Sequence, residues 1–210
     1  MKDIKINVLT RTSGRPKFFM DCKKSIDEQT HKNVNQIISI DDPSSMHYVQ
    51  NLNFIKVSKR KPFSKVPPGV GYATHNLYLN NLQDKVEDGW IMYLDDDDHF
   101  KKNTALEIII KRITSEDDLL IWRVDHKVKL IPEDVYWGKD PQYHHISMPG
   151  FMFHSKYKSH AIFDDLSWAD YKVVSNLYKI IPNKIWIDEV LTGVQQGRGR
   201  GKRNDKRDDL

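Results

Sequence analysis

Of its 210 residues only one, Cys22, is a cysteine. The chain therefore has no internal disulfide and no cysteine-based zinc cluster. It also lacks any run of eighteen or more apolar residues, so the sequence contains no transmembrane helix of ordinary kind. Its first residues, Met1 to Val8, run into a strand-like pattern without the longer apolar core of a signal peptide. The expectation is a soluble protein of a reducing, cytoplasmic setting. No Gly-x-Gly-x-x-Gly follows the first strand, which argues against a dinucleotide oxidoreductase.

Hydrophobic residues make up 39% and charged residues 30%, enough for one well-filled core and a polar surface. The charge is uneven. Between Arg198 and Leu210 six basic residues face three acidic ones, a surplus of +3 out of the chain's +4. The body is thus nearly neutral. Residues 193–210 are expected to form a basic, flexible tail suited to phosphate or nucleic acid.

The periodicity predicts an alternation of strands and helices. Strands are expected at Ile4–Thr10, Ile37–Ile40, Phe54–Val57, Trp90–Leu94, Leu119–Val124, Met148–Phe153 and Ile185–Ile187. Helices are expected after Pro16, with Phe19, Cys22 and Ile26 on one face, and over Val70–Leu82, Thr104–Ile113 and Ser167–Ile180. Thr104-x-x-Glu107 and Ser167-x-x-Asp170 have the capping-box pattern. Residues 59–71 and 132–147 are predicted to be irregular. The implied fold class is α/β, one Rossmann-like domain with a mainly parallel, mixed sheet flanked by helices. In such sheets ligands bind beyond the carboxyl ends of the strands. Thr10-Arg11, Asp41-Asp42 and Asp95–Asp98 all fall there.

Four consecutive carboxylates after a buried strand repel one another and raise each other's pKa unless a cation lies among them. A hard divalent ion with oxygen ligands, Mn2+ or Mg2+, meets that need. In an extended segment Asp95 and Asp97 would point to one side, Asp96 and Asp98 to the other. The bland alternative is an acidic turn before the next helix.

The chain resembles the family 2 nucleotide-sugar glycosyltransferases of the GT-A fold over most of residues 4–190. The resemblance rests on the order and spacing of Asn7-Val-Leu-Thr-Arg-Thr, Ser25-Ile-Asp-Glu-Gln-Thr-His-Lys-Asn, Ile40-Asp-Asp-Pro-Ser, Gly71-Tyr-Ala-Thr-His-Asn and Gly89-Trp-Ile-Met-Tyr-Leu-Asp-Asp-Asp-Asp. It implies a domain over 1–192, with a donor-binding half at 1–100 and an acceptor and catalytic half at 101–192. It further implies transfer of a sugar from a nucleotide diphosphate, a UDP-sugar, to a hydroxyl on a glycan or other acceptor, with inversion.

By that resemblance Thr10 and Arg11 would lie beside the base and phosphates, and Asp41 or Asp42 would accept from the uracil ring nitrogen. Asp95 and Asp97 match the Asp-x-Asp signature. Asp97 would bind the metal with Asp95, while Asp95 or Asp96 would hold the ribose. His75 stands where many members carry arginine. In Phe163-Asp-Asp-Leu-Ser-Trp-Ala-Asp-Tyr, Asp170 matches the catalytic carboxylate, with Asp164, Asp165 and Trp168 near the acceptor. Trp122, Trp137 and the His144-His145 pair are further candidates for acceptor contacts. No histidine follows His160 to supply a further metal ligand.

Two other enzyme classes use such an aspartate cluster: nucleotidyltransferases, and phosphatases of the haloacid dehalogenase type. The latter place a Thr or Val where this chain has Asp98-His99, and their motif lies nearer the N-terminus. A nucleic-acid-binding role would act through the basic tail, but the near-neutral body argues against it.

Overall fold

A computed structural model describes residues 4–195. Its first strand, β1 (Ile6–Thr12), is buried on both faces, as a strand at the centre of a covered parallel sheet must be. Helix α1 (Pro16–Asp27) begins with Pro16 in its first turn and buries Phe19, Cys22 and Ile26, the predicted face. Strand β2 (Val34–Ile40) follows, then a short 3-10 turn capped by Asp42, helix α2 (Met46–Val49) and strand β3 (Phe54–Lys56). The predicted helix over Val70–Leu82 is shorter. It is a 3-10 turn at Thr74–Asn76 running into α3 (Leu77–Gln83). Upstream, the Ala73 backbone N–H donates instead to the Asp165 carbonyl at 2.7 Å.

Strand β4 (Trp90–Tyr93) delivers the aspartates and is followed by β5 (Asp98–Phe100). Helix α4 (Ala105–Ile110) comes next, then β6 (Asp118–Asp125), β7 (Leu130–Ile131) and β8 (Phe151–His154). Helix α5 (Ala169–Ile180) and the long β9 (Asn183–Val194) complete the described chain.

Among the described residues the strands form one mixed sheet in the order β3-β2-β1-β4-β8-β6-β9-β5, with β7 beside β6. Its first half, β3 to β4, is parallel; β8 runs antiparallel to both β4 and β6, and β9 is parallel to β6. The α/β class and the mainly parallel, mixed sheet are as the sequence implies.

Two apolar layers cover the sheet. One packs α1 and α4 against Ile6, Val8, Met92, Leu120 and Trp122. The other packs α3 and α5 against Leu9, Ile91, Tyr93, Ile121 and Phe151. Complete burial of residues such as Leu9, Ile91 and Phe151 contributes about 1.5–3 kcal/mol each. Trp122 is part of this core, fully buried with its indole N–H donating to Thr192 Oγ1 at 3.0 Å. It is not an acceptor contact.

The fold runs past residue 192. β9 continues to Val194, and Gln195 is bonded into the aspartate turn. Most of the predicted basic tail, residues 196–210, lies outside the described residues.

Candidate active site

The site grows from the topology. β1, β2 and β4 are parallel neighbours, so their carboxyl ends bring Arg11, Asp41 and Asp95 to one edge of the sheet. β4 starts at the opposite edge, from Gly89, whose φ is +94°. A Cβ there would stand 2.7 Å from the Lys5 carbonyl oxygen. Glycine thus lets β4 start tight against β1.

Asp95–Asp98 do not continue the strand. The Asp98 backbone N–H donates to the Asp95 carbonyl at 2.9 Å, closing a four-residue turn. The Asp95 N–H in turn donates to Asp98 Oδ2 at 3.2 Å. The expected alternation is therefore replaced: Asp95, Asp97 and Asp98 each bring one oxygen to within 4.8 Å of the others. Asp96 points away and is fully buried.

Two arginines organise the cluster. Arg11 grips both oxygens of Asp95, its Nε at 2.8 Å, and reaches Asn76 Oδ1 at 2.8 Å. Arg15, from the turn before α1, grips both oxygens of Asp96, its Nε at 3.0 Å, and approaches Asp97 Oδ2 at 3.4 Å. Burial works to raise the Asp95 pKa, but the Arg11 charge and hydrogen bonds outweigh it, holding that carboxyl below its ordinary value. Asp96, wholly enclosed, is pushed up to about 7 by burial despite Arg15.

Neither Arg15 nor Gln195 was indicated by sequence. The Gln195 backbone N–H donates to the Asp97 carbonyl at 2.7 Å, and its side chain donates to the Phe18 and Asp96 carbonyls at 3.1 and 3.3 Å. Gln195 thus ties β9 to the turn. Asn76 was visible within the Ala73-Thr74-His75-Asn76 stretch; its amide also donates to the Leu166 carbonyl at 2.8 Å, linking Arg11 to the segment before α5.

The remaining predicted residues separate into two groups. Asp41, His75 and Asp170 join the cluster. The Tyr78 hydroxyl donates to Asp41 Oδ2 at 3.2 Å, while Asp41 Oδ1 is buried without a partner. Burial and the adjacent carboxylate push the Tyr78 phenol up to about 12. His75 lies at the exposed mouth of the site, where the surrounding protein and then the Arg11 charge lower its imidazole to about 4. It is neutral at pH 7. Asp170, in the first turn of α5, feels both Arg11 and Asp95, and burial raises it to about 6.

Thr10, Asp42, Asp164 and Asp165 have other partners. Thr10 is fully buried, its hydroxyl accepting from Gln36 at 3.0 Å. Asp42 caps the turn after β2, accepting from the Ser44 N–H at 2.9 Å. Asp164 pairs with Lys172 and accepts from the Leu166 N–H at 3.1 Å. Asp165, fully buried, accepts from the backbone N–H groups of Phe63 and Ser64 at 2.7 and 3.2 Å. It fastens the irregular 59–71 segment beside the site. Trp168 lies half-buried next to Asp170.

The donor set fits a hard divalent cation. Three carboxylates converge, and such all-oxygen sites favour magnesium, manganese or calcium. Charge agrees as well: four carboxylates share the turn with two arginines.

No protein-family model matches the chain, and neither does any curated protein. Solved structures do. TarS of S. aureus, residues 1–349, in complex with UDP-GlcNAc superimposes with a TM-score of 0.65 at 14% identity, covering 94% of this chain and 60% of that one. A second structure of the same fragment gives 0.64 at 16% identity, covering 91% of this chain and 60% of that one. The mannosyltransferase PcManGT from Pyrobaculum calidifontis, in complex with GDP-Man and Mn2+, gives 0.63 at 12% identity, covering 97% and 60%. The present chain thus spans about 60% of the length of these structures. No helix among the described residues is long and apolar enough to cross a membrane. The fold of this chain is the GT-A fold of the glycosyltransferases.

Proposed function

We propose that the chain is a metal-dependent glycosyltransferase that takes a sugar from a UDP-sugar and joins it to an acceptor hydroxyl with inversion. One observation carries the reading. At the carboxyl ends of β1 and β4, Asp95, Asp97 and Asp98 each bring one oxygen to within 4.8 Å of the others, while Arg11 and Arg15 pair with Asp95 and Asp96. A metal-binding turn in a GT-A fold is what a nucleotide-diphosphate donor requires, and one solved neighbour carries GDP-Man with Mn2+.

In this reading Asp95, Asp97 and Asp98 hold Mn2+ or Mg2+, which supplies charge neutralisation at the diphosphate. Arg11 and Arg15 flank the same place, and guanidinium forks match phosphate oxygens. His75, neutral and near both Asp41 and Asp95, suits the ribose between base and diphosphate.

Asp41 speaks to the base. Tyr78 occupies Oδ2, leaving Oδ1 as a single buried acceptor. Uracil offers one ring N–H; guanine offers two parallel donors that would use both oxygens. An unmatched buried acceptor costs about 1–3 kcal/mol, which a uracil N–H would relieve.

Asp170 takes the acceptor proton. As its carboxylate accepts that proton, the acceptor oxygen bonds to the anomeric carbon from the face opposite the diphosphate. The bond from that carbon to the diphosphate oxygen breaks, and UDP leaves with the electron pair. Residues 1–100 thereby serve the donor, and 101–192 the acceptor and the proton transfer.

Isothermal titration with UDP and Mn2+ tests the proposal. Binding is expected with the metal and is expected to vanish with chelator. Equal affinity in both, or no UDP binding at all, would overturn it.

A further inference from the structure

The irregular 132–147 segment approaches α5 at one point. The Tyr143 ring stands 5.9 Å from Trp168, near-perpendicular at 77°, and 6.0 Å from Tyr171. Trp168 is the N-cap of α5 and Tyr171 lies in its first turn, three residues on. They bracket Asp170. Tyr143 thus packs on residues either side, in sequence, of the one assigned to proton transfer.

His144 extends this surface outward. Its ring stacks on Tyr143, centroids 3.8 Å apart and planes at 29°. The backbone there is left-handed, φ +67°, a conformation glycine adopts freely and a histidine adopts at a cost of about 1–2 kcal/mol. Yet the side chain is exposed, so burial does not offset that cost. The indole N–H of Trp168 is buried without an acceptor. The Lys172 ammonium lies 5.8 Å from the Trp168 ring. An aromatic shelf, a buried indole N–H without an acceptor and the Lys172–Asp164 ion pair thus meet at the start of α5.

We infer that this shelf, formed by His144, Tyr143 and Trp168, binds the acceptor, and that the acceptor is a pyranose ring; the inference rests on the glycosyltransferase reading above. The C–H face of a pyranose is apolar and flat enough to lie against aromatic rings, while its hydroxyls need polar groups, which the Lys172–Asp164 pair supplies at the shelf's edge. A serine or threonine side chain offers no such face.

The test uses the full chain saturated with UDP and Mn2+. Binding of methyl pyranosides and short oligosaccharides is followed by saturation-transfer NMR and tryptophan fluorescence, beside serine- and threonine-containing peptides. His144→Gly keeps the backbone conformation and removes the ring. It is expected to weaken pyranoside binding about tenfold and leave UDP affinity unchanged. Tyr143→Ala is expected to do the same, and Tyr143→Phe to bind as the parent does. Undiminished pyranoside binding in both His144→Gly and Tyr143→Ala overturns the inference, as do peptides that bind more tightly than every pyranoside. These failures leave metal-dependent UDP binding intact, whereas loss of UDP binding in the parent strikes the donor reading itself.

Discussion

Arg11 lies along the carboxylate of Asp95, donating to both of its oxygens, and its remaining terminal nitrogen reaches Asn76. This pairing changes the electrostatics expected of the aspartate turn. Four adjacent anions do not depend on a divalent ion alone. Arg11 and Arg15 already pair with Asp95 and Asp96.

Removing Arg11 therefore uncovers a carboxylate that is largely shielded from water, with Asp95 only 16% exposed. Breaking such a pair costs about 3–5 kcal/mol. Arg11→Gln is expected to lower the unfolding midpoint in chelator by several degrees. Mn2+ should restore more stability to this variant than to the parent, because it can neutralise the orphaned Asp95. Thermal scans with and without Mn2+ measure the difference, and equal gains in both proteins would exclude Asp95 from the metal site.

Asp41 and Tyr78 give a prediction about the base. Asp41→Asn replaces a charged acceptor and is expected to weaken UDP binding by about ten- to a hundredfold, the range for a hydrogen bond to an ionised group. Tyr78→Phe frees Oδ2, so that two parallel N–H donors can be received. The preference for UDP over GDP should narrow in that variant. Titration with both nucleotides decides it; an unchanged ratio would mean that Tyr78 does not set base choice.

The local periodicity of the chain made β1, the buried face of α1 and the arrival of β4 at the aspartates readable in advance. Each is a run whose apolar spacing survives in the fold. Long-range pairings were not readable. Arg15 reaches Asp96 from eighty-one positions away, and Gln195 reaches Asp96 from ninety-nine. Nothing in their neighbours' types marks them. β5 was missed because Asp98-His99-Phe100 looks like loop until Val194, Gly193 and Thr192 of β9 pair with it. The capping boxes misled for a related reason. Thr104 makes no side-chain cap, and the Ser167 hydroxyl accepts from the Gly71 N–H at 3.1 Å instead of capping α5. The Ser167 pattern thus lost to a contact that only the fold supplies.

Gly89 offers a test of how β4 is held against β1. Gly89→Ala combines left-handed backbone strain with a Cβ 2.7 Å from the Lys5 carbonyl. Gly138→Ala carries the strain alone, since its φ is +72° and nothing lies within 4 Å. Strain costs about 1–3 kcal/mol. Gly89→Ala is expected to lose clearly more stability than Gly138→Ala in urea unfolding, and its metal affinity should fall because the turn follows β4. Equal losses would show that β1 and β4 can separate without cost.

In the proposed reaction Asp170, as the base, sets the pH dependence of transfer. Burial raises its pKa from 3.8 to about 6, so the base is ionised above that value and protonated below it. The transfer rate should rise with pH through a midpoint near 6 and level off above 7. Stability moves in the opposite sense. Because the folded protein holds this proton more tightly than the unfolded chain, the favourable contribution is complete below about pH 3.8 and is lost as the pH rises through about 6. Asp170→Asn has no proton to release at this position. It is expected to equal or exceed the parent in stability at pH 7.5, with the advantage shrinking toward pH 4. The same variant should bind UDP and Mn2+ normally while losing transfer by at least a hundredfold, the lower range for removal of a general base. Transfer at the parental rate would reassign the base. A pH–rate profile without an inflection between 5 and 7 would show that ionisation of Asp170 does not govern the step.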